Sequence, residues 1–290
     1  MAAVQTRVKF WQAGFVVALC GLAAAQDRPH RIVSLVPATT EMLFAMGAGD
    51  RIAGISNYDH FPPEAERLPR LGGLLDPNVE RLLAVKPDLV IVYGTQSELR
   101  RQLDSAGIPM FSYVHRGLAD ITETIRTLGA RVGSEQEARA LADRMEKQLA
   151  SIRSRVAGRR RPKTLLVFGR EPGSLRRIDA SGGYGFLHDI LDTAGGADAL
   201  GDIARESVQM SAEMVLARAP DVIVELRYGS ADKAPSVESV RRAWSALPAV
   251  PAVKSGRIYL LVGDEFVVPG PRVVGTVERL AAVLHPDVFR

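Results

Sequence analysis

The chain of 290 residues is too long for one minimal domain and suits two modest domains or one large one. Hydrophobic residues make up 47% and charged residues 24%, an ordinary globular balance that excludes a disordered chain. Its 37 basic and 33 acidic residues leave a formal charge of only +4, with no long basic face, which argues against a nucleic-acid partner.

The first 25 residues read as an export signal. Arg7 and Lys9 form a positive n-region, Phe15 to Ala25 an apolar stretch, and Ala23-Ala24-Ala25 a small-residue cleavage site before Gln26. The apolar stretch is short for a membrane span, so a retained anchor is the weaker reading. Lipidation at Cys20 is a second alternative, opposed by the large Leu19 where a small residue is normal. Cleavage after Ala25 removes Arg7, Lys9 and Cys20 together. The mature chain is then nearly neutral and has no thiol for disulfides, catalysis or metal binding.

From Arg31, short apolar runs alternate with helical stretches. Ile32–Val36, Arg51–Ser56, Leu89–Tyr93 and Pro109–Val114 read as strands. Thr39–Met46, Asn78–Val85 and Ser97–Ala106 read as helices, the first and third ended by Gly47 and Gly107. This order indicates an α/β fold with a mostly parallel sheet.

The segment Asn78–Val92 aligns without a gap to Ser211–Glu225, with Glu, Leu, Ala, Pro and Asp coinciding. Both copies have a helix, a Pro-Asp pair and a strand, which predicts two homologous lobes. Between them, Ser134 with Glu137 three residues on resembles a capping box. Leu141, Met145, Leu149, Ile152 and Val156 continue an apolar stripe at helical spacing. A helix over Ser134–Ala157 would span roughly 36 Å, long enough to cross from one lobe to the other with little hinging. The basic run Arg159-Arg160-Arg161-Pro162-Lys163 then reads as a solvated linker, and Thr164–Phe168 as the first strand of the second lobe. The expected divisions are a signal peptide over 1–25, an N-terminal lobe over 30–118, a linking helical segment over 119–158 and a C-terminal lobe over 159–290. A ligand would sit between the lobes.

Catalytic signatures are missing from the sequence: it has no nucleophile elbow, Walker A loop, CxxC pair or HExxH. Gly182-Gly183-Tyr184-Gly185 lacks a dinucleotide fingerprint and reads as a surface turn with room for ligand contact. His30, His60, His115, His188 and His285 share no metal-ligand spacing, although His60 lies in a candidate cleft loop. The expectation is a binding protein, not an enzyme, with no resident cofactor or metal.

Arg31-Ile-Val-Ser-Leu-Val-Pro-Ala-Thr-Thr-Glu41, Gly54–Pro63 and Gly72-Gly73-Leu-Leu-Asp-Pro-Asn-Val-Glu80 resemble the helical-backbone periplasmic binding proteins of iron-siderophore, haem and cobalamin importers. So do Pro87–Ile91, Ala249–Tyr259 and Pro269–Arg272. The resemblance covers residues 30–287 and is nearest to the cobalamin-binding branch. It implies two α/β lobes bridged by a long helix, and a monomeric periplasmic receptor. The receptor would hand a small-molecule metal chelate to the transmembrane subunits of an ABC importer.

Within that resemblance, Tyr58 and Tyr93 stand where aromatic residues meet a corrinoid. Leu74 and Ser207 replace two tryptophans, which leaves cobalamin itself open beside other corrinoids. Phe168, Phe186 and Phe266 are further candidate aromatic surface, and Arg170 and Arg272 candidate donors to carboxylates or amides; each also has a purely structural reading. Trp244 reads as a packing residue. Haem, with Tyr58 or His60 as axial ligand, or a ferric siderophore held by arginines, is the alternative cargo. A non-transport signalling protein or an enzyme on this fold is the alternative of another class. The resemblance also implies that Glu80 and Glu213, one per lobe, dock against arginines of the two transmembrane subunits.

Overall fold

Strands β1 (Ile32–Ser34), β2 (Ile52–Ile55), β3 (Leu89–Tyr93) and β4 (Met110–Tyr113) form an all-parallel sheet ordered β2-β1-β3-β4 in the computed structural model. The structure describes residues 28–289 apart from 231 and 233. The expected leader, with Arg7, Lys9, Cys20 and the Ala23–Ala25 site, lies outside these residues.

Helices α1 (Pro37–Ala45), α2 (Val79–Ala84) and α3 (Ser97–Ser105) connect the strands. Both sheet faces are covered, which explains the continuous apolar run of β3. Leu89 and Ile91 enter one core, while Val90 and Val92 enter the core on the other face.

The second lobe holds β5 (Lys163–Gly169), β6 (Ile178–Ser181), β7 (Ala197–Asp198), β8 (Ser207–Met210), β9 (Val222–Arg227) and β10 (Ile258–Val262). They form one sheet ordered β10-β9-β5-β6-β8, with β7 also paired to β5. β10, β9 and β5 are parallel, while β6 runs antiparallel to both of its neighbours, β5 and β8. Helices α6 (Phe186–Thr193), α7 (Ala212–Arg218), α8 (Val237–Trp244), α9 (Pro251–Lys254) and α10 (Val273–Leu284) complete the lobe. Two α/β lobes with mostly parallel sheets are thus observed as expected.

The linking segment contains two helices, α4 (Leu118–Val132) and α5 (Glu135–Val156). Gly133, at φ 67°, turns the chain between them, and the Ser134 N–H donates to the Gly129 carbonyl at 2.8 Å. The helices then run antiparallel, so Arg126 of α4 reaches Asp143 and Glu146 of α5. A Cβ on Gly129 would lie 2.1 Å from that of Ala138, so glycine permits their close approach. The expected capping box at Ser134 is absent. The Ser134 hydroxyl instead accepts from the Arg51 guanidinium at 3.1 Å, tying this end of α5 to the first lobe. At the far end, Arg155 donates to the Val288 carbonyl in the second lobe.

The internal repeat has a physical basis. Asn78 and Ser211 cap α2 and α7 by accepting from the N–H groups of Arg81 and Met214. Asp88 accepts from the Arg31 N–H, and Asp221 from the Lys163 N–H, so each Pro-Asp anchors the start of its lobe's first strand. Lys86 and Ala219, each just before its proline, both adopt φ 45°.

Candidate functional site

Two recesses lie at the ends of the sheets where the lobes meet. The first, about 300 Å³, is lined by Leu35, Ser56, Tyr58, Leu74 and Tyr93. Leu35, Ser56 and Tyr93 sit at the C-terminal ends of β1, β2 and β3, the usual ligand edge of an open α/β sheet. The second, about 270 Å³, is lined by His115, Phe168, Tyr184, Phe186 and Ser207.

A run of rings connects the two. Tyr93 lies 5.9 Å from Tyr113, Tyr113 lies 5.4 Å from His115, and His115 lies 6.5 Å from Phe186. The Tyr228 hydroxyl of the second lobe donates to the Tyr58 carbonyl of the first at 3.2 Å. Tyr58, Tyr93 and Phe168 are therefore brought to one cleft, together with Leu74 and Ser207. A larger recess of about 530 Å³, lined by Arg28, Asp50 and Glu135 among others, sits at the N-terminal ends of β1 and β2, away from these rings.

Backbone geometry holds the first wall. The Tyr58 ring packs on Gly73, where a Cβ would lie 2.6 Å from the ring. The side-chain oxygen of buried Gln96 accepts from the Tyr93 N–H at 3.0 Å, and its amide donates to the Leu74 carbonyl at 2.9 Å. Gln96 thus fixes two cleft residues relative to each other, and no motif in the sequence marks it. Burial, with Asp59 adding to it, pushes the Tyr93 phenol up to about 12, so it is a neutral hydroxyl at physiological pH.

The second wall depends on the glycine-rich turn. A Cβ at Gly182 or Gly183 would come within 2.3 Å of a backbone oxygen, and Gly185 adopts φ 90°. This close backbone approach presents Tyr184, 46% exposed, to the recess, as the reading of a surface turn with ligand contact allowed.

Two expected ligand contacts are placed elsewhere. Phe266 is fully buried in the core beneath the Arg279 guanidinium, so it offers no surface to a ligand. Arg272 spans the lobes to Glu41, at 3.0 Å from Nε to Oε2 and 2.5 Å from Nη2 to Oε1. It also meets Glu265 at 3.2 Å and lies over the Phe61 ring at 4.2 Å. Burial raises the Glu41 carboxyl while Arg272 opposes the shift, and that demand for a counter-charge commits the arginine.

Arg170 is structural as well. Its Nε donates to fully buried Glu225 at 2.6 Å, beside the Trp244 indole N–H, which reaches the same oxygen at 2.7 Å. Trp244 is fully buried, in accord with its packing reading. His60 stays in an exposed loop, 3.4 Å from Glu66. Phe186 is mostly buried but lines the second recess.

Glu80 and Glu213 are exposed in the first turns of α2 and α7, the same place in each repeat. Leu83 and Leu216, also equivalent, are 42% and 41% exposed on those helices. Each lobe therefore offers the same pairing of a carboxylate with an exposed leucine.

Residues 32–264 match the family described as periplasmic binding protein. The chain belongs to that family. This binding protein is 30% identical to a vitamin B12-binding protein of Salmonella typhimurium over 256 residues, covering 88% of this chain and 90% of the relative. It is equally 30% identical to an uncharacterized ABC transporter substrate-binding lipoprotein of Bacillus subtilis, covering 91% of this chain and 83% of that one. Its fold matches the periplasmic vitamin B12 binding protein of Vibrio cholerae, with a TM-score of 0.76, 24% identity, and coverage of 89% of this chain and 98% of the other. It also matches the periplasmic heme-binding protein of Roseiflexus sp. RS-1, with a TM-score of 0.75, 25% identity, and coverage of 90% and 99%. It is a substrate-binding protein of an ABC transporter, and its partner class is the membrane subunits of that importer. No helix among the described residues is long and apolar enough to cross a membrane.

Proposed function

We propose that this protein captures a corrinoid in the cleft between its lobes and delivers it to the importer. The observation that carries this reading is the pair of aromatic-lined recesses joined by a run of rings, with Tyr58 and Tyr93 in one and Phe168, Tyr184 and Phe186 in the other. A corrinoid is wide, flat and edged with amides, so it needs ring faces and scattered hydrogen-bonding groups. Leu74 and Ser207 line the recesses at the positions where the resemblance puts tryptophans, which favours a corrinoid bound with fewer stacking contacts than cobalamin has there. The similarity to vitamin B12-binding relatives supports the same class.

Haem is the second reading, supported by the 55% exposed Tyr58 and by the likeness to a heme-binding protein. Equilibrium dialysis and absorption spectra of purified protein with cobalamin, cobinamide and haem decide between them. Retention of cobinamide or cobalamin over haem is expected; retention of haem alone would reverse the assignment.

Delivery needs export and docking. We place the mature start near Gln26 in the periplasm, and intact mass of the secreted protein tests this. Residues 1–25 retained, or a lipid on Cys20, would count against it. We assign Glu80 and Glu213 to docking on the two transmembrane subunits, because the duplicated lobes present them alike, with Leu83 and Leu216 beside them. The role is binding rather than catalysis, as a monomer meeting a twofold importer.

A further inference from the structure

The linings of the two recesses are almost free of charge. Ser56, Tyr58 and Tyr93 in the first, and Tyr184 and Ser207 in the second, set hydroxyls among apolar and aromatic side chains. Among the described residues that line them, Glu206 of the second recess is the one carboxylate, and no lysine or arginine lines either. Burial holds the pKa of His115, in the same recess, below the usual histidine value, against the opposing pull of Glu206 and Asp120. The imidazole therefore adds no cation at neutral pH. Arginines of the surrounding elements have carboxylates of their own: Arg70 meets Glu66 at 2.9 Å and Arg170 meets Glu225 at 2.6 Å, while Arg272 is held by Glu41 and Glu265. Arg205, next to Glu206 in the chain, lines neither recess.

Glu206 has a defined seat. It immediately precedes β8, and a Cβ on Gly185 would lie 2.8 Å from its Cγ and 3.4 Å from its Oε1. Gly185, at φ 90°, is the N-cap of α6, so glycine there both allows the turn and leaves room for this side chain. The Gly182 N–H donates to the Glu206 carbonyl at 3.3 Å, which ties the segment to the glycine-rich turn. The residue is exposed, and no described group pairs with its carboxylate. A ligand that fills the recess displaces the water around that charge, and the carboxylate then needs a donor. An amide arm brings an N–H and no net charge. A carboxylate arm brings only acceptors and a second negative charge.

We propose that Glu206 is a specificity-determining residue that admits chelates with amide arms and turns away those with carboxylate arms. This rests on the reading that the cleft receives a corrinoid or another planar chelate, and it defines the cargo by its periphery rather than its metal. An amide N–H of the ligand donates to the Glu206 carboxylate, and the hydroxyls of Tyr184 and Ser207 match other amide groups as donors or acceptors. An anionic periphery would meet a like charge and no cation to offset it, so carboxylates on the cargo are penalised.

The test is equilibrium dialysis of the secreted protein with two pairs of chelates that differ only in the charge of their arms. The pairs are dicyanocobyrinic acid against its heptaamide, and haem against haem dimethyl ester. Wild-type protein is expected to prefer the uncharged member of whichever pair it binds, and added salt should narrow that preference. Glu206→Gln keeps the shape and an acceptor oxygen, and should reduce the preference by about tenfold, chiefly through tighter binding of the acid. Glu206→Lys should reduce it further. A wild-type preference for the charged member, or a preference unchanged in both variants, overturns the proposal and leaves the receptor reading standing. Equal weakening of both members of a pair shows a structural role for Glu206 and overturns it as well. If wild-type protein binds neither pair, the receptor reading falls and the proposal falls with it.

Discussion

Behind Tyr58, the side chain of Asp59 is 1% exposed, and both carboxylate oxygens lack a well-formed hydrogen bond. Burial pushes it from 3.8 up to about 7, against the weaker pull of Thr40, the Ser56 backbone and Arg70. The folded chain therefore holds a proton that the unfolded chain releases between those two values. Stability from this group is greatest below about pH 4 and falls as pH rises to about 7, by up to roughly 4 kcal/mol. Asp59→Asn should flatten that slope and raise the melting temperature above pH 7. Melting curves from pH 4.5 to 8 with an unchanged slope in the variant would refute the cause.

On the ligand side, Tyr58→Ala or Tyr93→Ala should each weaken corrinoid binding by about 1 kcal/mol, the scale of one aromatic contact. Gln96→Ala should weaken it too, by releasing Tyr93 and Leu74 from their shared tether. Calorimetric titration checks all three. Unaltered affinity in both tyrosine variants would remove those rings from the site.

At the scale of elements, the lobes are bridged by the long helix α5, with α4 packed antiparallel against it. Helices α4 and α5 support each other along their lengths, and Ser134 and Arg155 anchor the two ends of α5 to different lobes. The Glu41–Arg272 pair and the Tyr228–Tyr58 hydrogen bond add ties across the cleft. Relative lobe motion would have to break these contacts together, so ligand should change the radius of gyration only slightly. Solution scattering with and without cobinamide tests this, and a large compaction would point to a flexible hinge. Arg272→Ala should destabilise the fold by roughly 3 kcal/mol, because it leaves Glu41 buried without its counter-charge. Chemical denaturation measures that loss.

The whole molecule is a duplicated receptor with one candidate docking carboxylate on each lobe. A carboxylate in the first turn of a helix gains roughly 0.3–1 kcal/mol from the helix dipole, which is a sufficient local reason for one such residue. It does not account for matching exposed pairs, Glu80 with Leu83 and Glu213 with Leu216. Charge pairs at such an interface would set register and association rate more than ligand affinity. Glu80→Ala combined with Glu213→Ala should therefore leave folding and corrinoid affinity nearly unchanged while sharply reducing uptake by cells. Full uptake would reject docking through these residues, and lost ligand binding would show a structural role instead.

By itself the sequence determined the layered architecture, because its causes are local. The apolar run Leu89–Tyr93 and the caps Asn78 and Ser211 each act within a few residues or along one strand. The recurring unit then made two lobes legible before their sheets were seen. Tyr58 and Tyr93, which the family resemblance singled out as candidates, follow or end strands at the ligand edge. Tertiary structure decided what depends on partners distant in the chain. Arg272 went to Glu41, 231 residues away, because a buried carboxylate requires a cation. Phe266 went to the core, and Ser134 gave its hydroxyl to Arg51 instead of its own helix. Gln96 and His115 became cleft residues only once folding had brought Leu74 to one and Phe186 to the other, since neither contact leaves a trace in periodicity or spacing.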